Sequence, residues 1–330
     1  MSRPSVDAPS AQREGRPLAR ASLGINQILW ANDDLPELTP PIDPLVILDE
    51  MARLGYRGTQ LGSTFPRGQM LQEALRARNL RICEVYATLP CTPDGPVPGA
   101  LEAARTKLAE LHAVEGDVLV AALPLSPERV GFGARASATG VPRLTDTGVE
   151  RLAKLLETLG AEAREQGHLL AFHHHVGTFV ETPEELDRLM AVSDPELVGL
   201  CLDTGHFLLA GGDPLDALHR YGVRVRHVHL KDVDPAVAAE MRAGGLKGFL
   251  DGLRQRVFTE IGMGALDVFA VLGELARYGY AGWLVVEHDT TWHAPSESAA
   301  MSYAVLRFAL RELARCPAWR DESVPARRMK

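Results

Sequence analysis

The chain has 330 residues, 46% of them hydrophobic and 24% charged, which is ordinary for a globular protein and excludes a disordered or fibrous one. Its formal net charge of -8 argues against a nucleic-acid surface, which is usually basic. No apolar run approaches the roughly 20 residues of a membrane span.

Residues 1–20, rich in Ser, Pro, Arg and Ala, lack the apolar segment of a secretory signal and read as a disordered tail. From Ser22 onward short apolar runs alternate with longer amphipathic ones. The expected strands are residues 23–29, 58–61, 81–87, 117–122, 168–173, 198–202, 225–230 and 282–287. Between them the apolar positions step by three and four, as in Val149, Leu152, Leu156, Leu159 and Ala163, which is one face of a helix. Asp43-Pro44, Thr182-Pro183 and Asp213-Pro214 each place a capping side chain before a proline at the first helical position, and Thr182 with Glu185 has capping-box spacing.

Eight strands alternating with helices predict an α/β fold, a parallel (β/α)8 TIM barrel, as a single domain over residues 21–316 with a tail over 317–330. An open doubly wound sheet is the alternative, but the glycine-rich fingerprint after its first strand is missing. Two insertions, residues 123–143 and 234–260, come after strand C-termini, the face that carries a barrel's active site, and are expected to form its walls or lids. Cys83, Cys91, Cys201 and Cys316 contain no C-x-x-C pair, the pattern of reduced thiols in a cytoplasmic protein.

Polar residues gather where the last four strands end. His173, Asp203, His229 and Glu287 close strands five to eight, which are neighbours on one rim of a barrel. Alternation along a strand groups His173 with Ala171 and His175, Asp203 with Cys201 and Gly199, and His229 with His227, Val225 and Lys231. Two imidazoles and two carboxylates suit Mn2+, Co2+, Fe2+ or Zn2+ better than Ca2+, and a cation there offsets the cost of burying the carboxylates. Mn2+ or Co2+ leads the expectation, with Mg2+ also allowed. His174 is expected to face the helices, and His288 and His293 the surface. Asp232 is read as orienting a neighbour, and Gly262 and Gly264 as marking a tight turn.

The run Trp30-Ala-Asn32-Asp33-Asp34-Leu-Pro36-Glu37, Gly58-Thr-Gln60-Leu-Gly62, His173 to Thr178, Leu202-Asp203-Thr-Gly-His206, His227-Val-His229-Leu-Lys231-Asp232 and Val286-Glu287 resemble the xylose isomerase-like TIM-barrel superfamily of sugar isomerases and epimerases. Within it they most resemble the myo-inosose-2 dehydratases. The resemblance spans about residues 23–313 and implies a divalent metal at His173, Asp203, His229 and Glu287. Two features depart from the pattern: Gln60 stands where those dehydratases usually carry Glu, and the segment after Glu287 differs.

The resemblance implies a metal-dependent lyase that dehydrates 2-keto-myo-inositol through an enediolate, with a sugar or inosose isomerase or epimerase as the alternative. Epimerases of this superfamily pair two glutamates, and His173 breaks that pair. Glu287 or His206 is then expected to move protons, with Lys231 as a polarising cation. Asn32, Asp33, Gln60, Tyr86 and His175 are expected to bind substrate hydroxyls, and Trp30 or Trp292 to stack on the ring, although Trp30 equally fits the core. The expected partner is a small polyol or sugar, with no nucleic acid and no membrane, and a homo-oligomer is allowed. A DNA-repair endonuclease would need a multinuclear zinc site and a basic groove, which this composition opposes; intact ligand positions oppose a barrel that only binds a polyol.

Overall fold

The computed structural model describes Leu18 and residues 21–315. The expected tails and Cys316 lie outside those residues, except Leu18, which packs into the main core. Eight parallel strands close into a barrel: β1 (Ser22–Ile25), β2 (Gly58–Gln60), β3 (Arg81–Thr88), β4 (Val118–Ala122), β5 (Leu169–His173), β6 (Gly199–Asp203), β7 (Val225–Leu230) and β8 (Trp283–Val286). All eight expected strands are present. The first is shorter than expected, because residues 27–29 turn into a 3-10 helix.

Helices surround the barrel: α1 (Pro44–Leu54), α2 (Gln69–Arg78), α3 (Ala100–Ala113), α4 (Asp146–Glu165), α5 (Pro183–Val192), α6 (Thr204–Leu209), α7 (Pro214–Tyr221), α8 (Pro235–Ala243), α9 (Phe249–Arg254), α10 (Val268–Arg277) and α11 (Pro295–Arg315). Asp43, Thr182 and Asp213 cap α1, α5 and α7 with a proline directly after each, and Thr182 and Glu185 form the full capping box. These caps satisfy backbone N–H groups that a helix start leaves open.

Each strand sends alternate side chains to two different cores. Outward residues such as Leu119, Phe172, Leu202, Val228 and Leu284 join the helices in the main apolar core. Inward residues fill the barrel: Tyr86, Val118, Val120, Ala171 and Cys201 form one cluster, and Cys83, Trp283 and Val285 another.

Two irregularities reset this alternation. In the β2–β3 pairing, Thr59 opposes Ile82 but Gln60 opposes Glu84, so Cys83 is an extra residue. In the β6–β7 pairing, Leu200 opposes Val225 but Cys201 opposes His227, so Arg226 is extra. A bulge of this kind flips the parity of the residues beyond it. Val225 therefore packs outward in the main core, contrary to the expected grouping with His229.

Candidate metal centre

The barrel brings His173, Asp203, His229 and Glu287 together, each offering one ligand atom within 4.8 Å of the others, and all four are buried. His173 Nε2 lies 3.5 Å from Asp203 Oδ2, and His229 Nδ1 lies 3.8 Å from the same oxygen. His229 Nδ1 is 2.7 Å from Glu287 Oε2 yet forms no hydrogen bond. Both His173 nitrogens and Asp203 Oδ2 are buried without a hydrogen-bond partner too. Leaving one such group unsatisfied costs roughly 1–3 kcal/mol. Orphaned donor atoms from adjacent strands, aimed at one point, are satisfied together by a divalent cation, and the mixed N/O set fits one.

Asp203 has two duties. Its Oδ1 accepts the His206 N–H at 2.8 Å and caps α6, while Oδ2 is left for the centre. Burial works to raise the carboxyls of Asp203 and Glu287, but Lys231 holds both below the ordinary range.

Lys231 is the charge that joins the site. Its Nζ, fully buried, lies 2.7 Å from Glu287 Oε1, 3.1 Å from Asp289 Oδ2 and 3.6 Å from Asp203 Oδ2, and sits 4.5 Å from the Phe258 ring centre. Burial alone lowers a lysine, but these carboxylates hold this one above its usual value, so it stays an ammonium. Nζ also donates to His206 Nε2 at 3.1 Å. His206 is fully buried and pushed well below the usual imidazole range by burial, so it stays neutral. It stands behind the lysine, its ring tilted 39° against that of His175 with ring centres 3.7 Å apart.

Three groups of the site were not expected from the sequence. Asn26 Nδ2 donates to Glu287 Oε2 at 2.8 Å. Asp289 is buried against Lys231, and burial pushes its carboxyl up to about 7. Glu84 accepts from both His227 and His229. A glutamate inside the apolar run of β3 is the one signal that a sequence reading had for this contact.

The expected rim residues divide. Gln60, Tyr86 and His175 are half-buried. His175 Nδ1 donates to the Val176 carbonyl at 2.7 Å, which leaves Nε2 as an acceptor. The Gln60 amide and the Tyr86 hydroxyl have no hydrogen bond among the described residues; burial holds the Tyr86 phenol above its usual value, so it remains a neutral donor. Asn32 is spent on structure: its Oδ1 accepts the Asp34 and Leu35 N–H groups, and its Nδ2 donates to the Asp289 carbonyl at 2.6 Å. Asp33 accepts from Ser63 on the exposed side, and Asp34 beside it is exposed as well. Trp30 packs in the core with its indole N–H on Glu50 of α1, so ring stacking falls away. Trp292 is exposed under Arg256.

Other expectations resolve similarly. His174 packs edge-on to Phe207 of α6, on the helix side as expected. His293 is exposed, but His288 is 2% exposed rather than a surface group, and burial lowers its imidazole to about 4. Asp232 accepts the backbone N–H groups of Val233, Gly262, Gly264 and Leu266, so it organises the returning loop rather than a neighbouring side chain. Gly264 is required there, since a Cβ would lie 2.4 Å from Asp232 Oδ1.

The two insertions form one roof. Phe249 of α9 and Phe258 pack on the rings of His175 and His206. They belong to a second apolar core with Leu35, Ala134, Val176, Leu209, Met241 and Leu253. Fully buried Arg129, in the first insertion, makes a bidentate pair with Glu185 at 2.7 and 2.9 Å. Glu185 also accepts the Glu181 and Thr182 N–H groups, which ties the roof to the loop that carries His175.

Residues 48–308 match the family model described as xylose isomerase-like TIM barrel. Over 287 residues the chain is 37% identical to an inosose dehydratase of Lacticaseibacillus casei, covering 86% of this chain and 93% of that protein. It is 36% identical over 302 residues to the rhizopine catabolism protein MocC of Rhizobium meliloti, covering 88% of this chain and 89% of that one. Among solved structures, the fold is similar to the IolI protein crystallised with a zinc atom, with a TM-score of 0.63, 15% identity, and coverage of 88% of this chain and 98% of that one. With the barrel, the strand-end cluster and these matches in place, the chain belongs to the xylose isomerase-like TIM-barrel family.

Proposed function

We propose that this chain is a metal-dependent hydro-lyase that removes water from a cyclic polyol ketone, 2-keto-myo-inositol (inosose), in the cytoplasm. The observation that carries the reading is the convergence of His173, Asp203, His229 and Glu287 in a chain that aligns along 86% of its length with an inosose dehydratase. A divalent cation held by these four residues, Mn2+ or Co2+ in this proposal, supplies Lewis-acid polarisation of the ketone and its neighbouring hydroxyl.

The chain's own groups account for the proton movements. Glu287 takes the proton from the carbon beside the ketone; the C–H electrons move toward the carbonyl and give an enediolate. Those electrons then expel the hydroxyl on the next carbon, which leaves as water after gaining a proton. Asp289, with its carboxyl near 7, and the Lys231 ammonium are the proton sources beside Glu287. Lys231 also stabilises the negative charge that develops. His206, a neutral imidazole, holds the lysine through its Nε2 lone pair and takes no part in the proton transfers. His175 Nε2, Tyr86, Gln60 and Asp34 bind the ring hydroxyls.

The test is turnover of inosose by protein reconstituted with Mn2+ or Co2+. Dehydrated diketone is expected in the presence of either ion and is expected to vanish with a chelator. Metal-loaded protein that leaves inosose untouched but interconverts ketose epimers moves the assignment to an epimerase.

Ion uptake should depend on pH with a defined sign. Burial lowers the His229 imidazole, but the Cys201 thiol, Glu84 and Glu287 around it raise it above its ordinary value. A cation must displace that proton, so uptake releases protons and weakens as pH falls. Competition against a chelator at pH 5.5 and 7.5 is expected to show at least tenfold tighter binding at the higher pH; equal affinity contradicts direct His229 ligation.

A further inference from the structure

Beneath the ligand cluster lies a contact that no strand-end pattern announces. Strict alternation along β3 would send Glu84 outward with Ile82, among the helices. The extra residue Cys83 reverses this and turns Glu84 into the barrel, where it is 0% exposed. A bulge re-aims a side chain at the cost of ladder pairing, so its placement is informative. β3 and β7 stand on opposite walls of the eight-strand barrel. Glu84 crosses that interior, and its Oε2 lies 2.9 Å from His229 Nε2 and in closer contact with His227 Nε2. The second bulge, at Arg226, is what turns both histidines toward it.

The opposite edge of the His229 ring is the one in the metal cluster. An imidazole shared between a carboxylate and a cation keeps its proton on the carboxylate side, so the remaining lone pair points at the ion. We propose that Glu84 is a positioning residue that reaches across the barrel floor to fix His229 as the Nε2–H tautomer, with Nδ1 presented to the cation, and that His227 anchors the carboxylate in that pose. The role rests on the metal centre and is independent of which substrate the enzyme takes.

Glu84→Gln tests it. The amide keeps the size but can turn its NH2 toward His229 and favour the wrong tautomer. Metal affinity, measured by chelator competition, is expected to fall 10–100-fold, and the visible bands of the Co2+-loaded protein are expected to shift. Unchanged affinity and unchanged bands overturn the proposal and leave Glu84 a buried packing group. If the Gln variant fails to fold, two other measurements decide. Glu84→Asp keeps the charge but is one methylene too short to span the gap, and is expected to weaken binding likewise. Long-range 1H–15N spectra of the Zn2+-loaded wild-type protein report the tautomer with no substitution: an Nε2–H on His229 supports the role, and coordination through Nε2 overturns it. A wild-type chain that binds no divalent ion sinks the metal centre and this role together; normal wild-type binding with an undiminished Glu84→Gln sinks this role alone.

Discussion

Asp203→Asn is expected to strip the cation and abolish turnover while leaving the barrel folded. The residue's two oxygens have separate tasks: Oδ1 caps α6 through the His206 N–H, and Oδ2 faces the centre with no hydrogen-bond partner. An asparagine keeps the capping carbonyl, so the loss of roughly 1 kcal/mol that removal of a cap causes is avoided. Its NH2, however, replaces an anionic ligand with a donor aimed at a cation. Losing several kcal/mol of charge stabilisation at a rate of about 1.4 kcal/mol per tenfold implies a fall in kcat/KM on the order of 10³ or more. Metal content after dialysis, circular dichroism and turnover check this together. Full metal occupancy in the variant overturns the ligand assignment.

Lys231→Met is expected to destabilise the protein more than any substitution at the ligands. The methionine fills a similar volume, but Glu287, Asp203 and Asp289 lose the buried ammonium that neutralises them. Removing one partner of a buried ion pair typically costs about 3–5 kcal/mol, because the other charge is left uncompensated. At about 2.1 cal/mol/K of unfolding entropy per residue, a chain of this size then loses about 4–7 °C in Tm. A bound divalent cation takes over part of the neutralisation, so the deficit should shrink when metal is added. A variant as stable as the wild type without metal contradicts the charged state assigned to Lys231.

The barrel was legible because most strands are short apolar runs separated by amphipathic stretches, and because Asp-Pro and Thr-Pro pairs mark four of the helix starts. The cluster of candidate ligands was legible too: His173, Asp203, His229 and Glu287 end apolar runs on four neighbouring strands, and the barrel brings them together. What alternation could not supply was the effect of two extra residues. The bulge at Cys83 hid Glu84, and the bulge at Arg226 sent Val225 to the other face. Loop side chains were harder still, since an Asn-Asp-Asp run does not say which member turns inward. The structure turns Asn32 inward and spends it on backbone contacts, and leaves Asp33 and Asp34 exposed. Asp289 and His288 lie just past the last strand, where no period predicts burial.

The roof over the pocket bears on how molecules come and go. Met241, Phe249, Leu253, Val257 and Phe258 are all interred in its private core, each within 1% of complete concealment. Exposing a large apolar side chain costs about 2 kcal/mol, so swinging this canopy aside costs roughly 10 kcal/mol. That is comparable to the whole folding stability of an ordinary domain. The canopy therefore behaves as masonry and not as a door. Gln60, Tyr86 and His175 are the half-buried groups left at the rim beneath a canopy that does not lift.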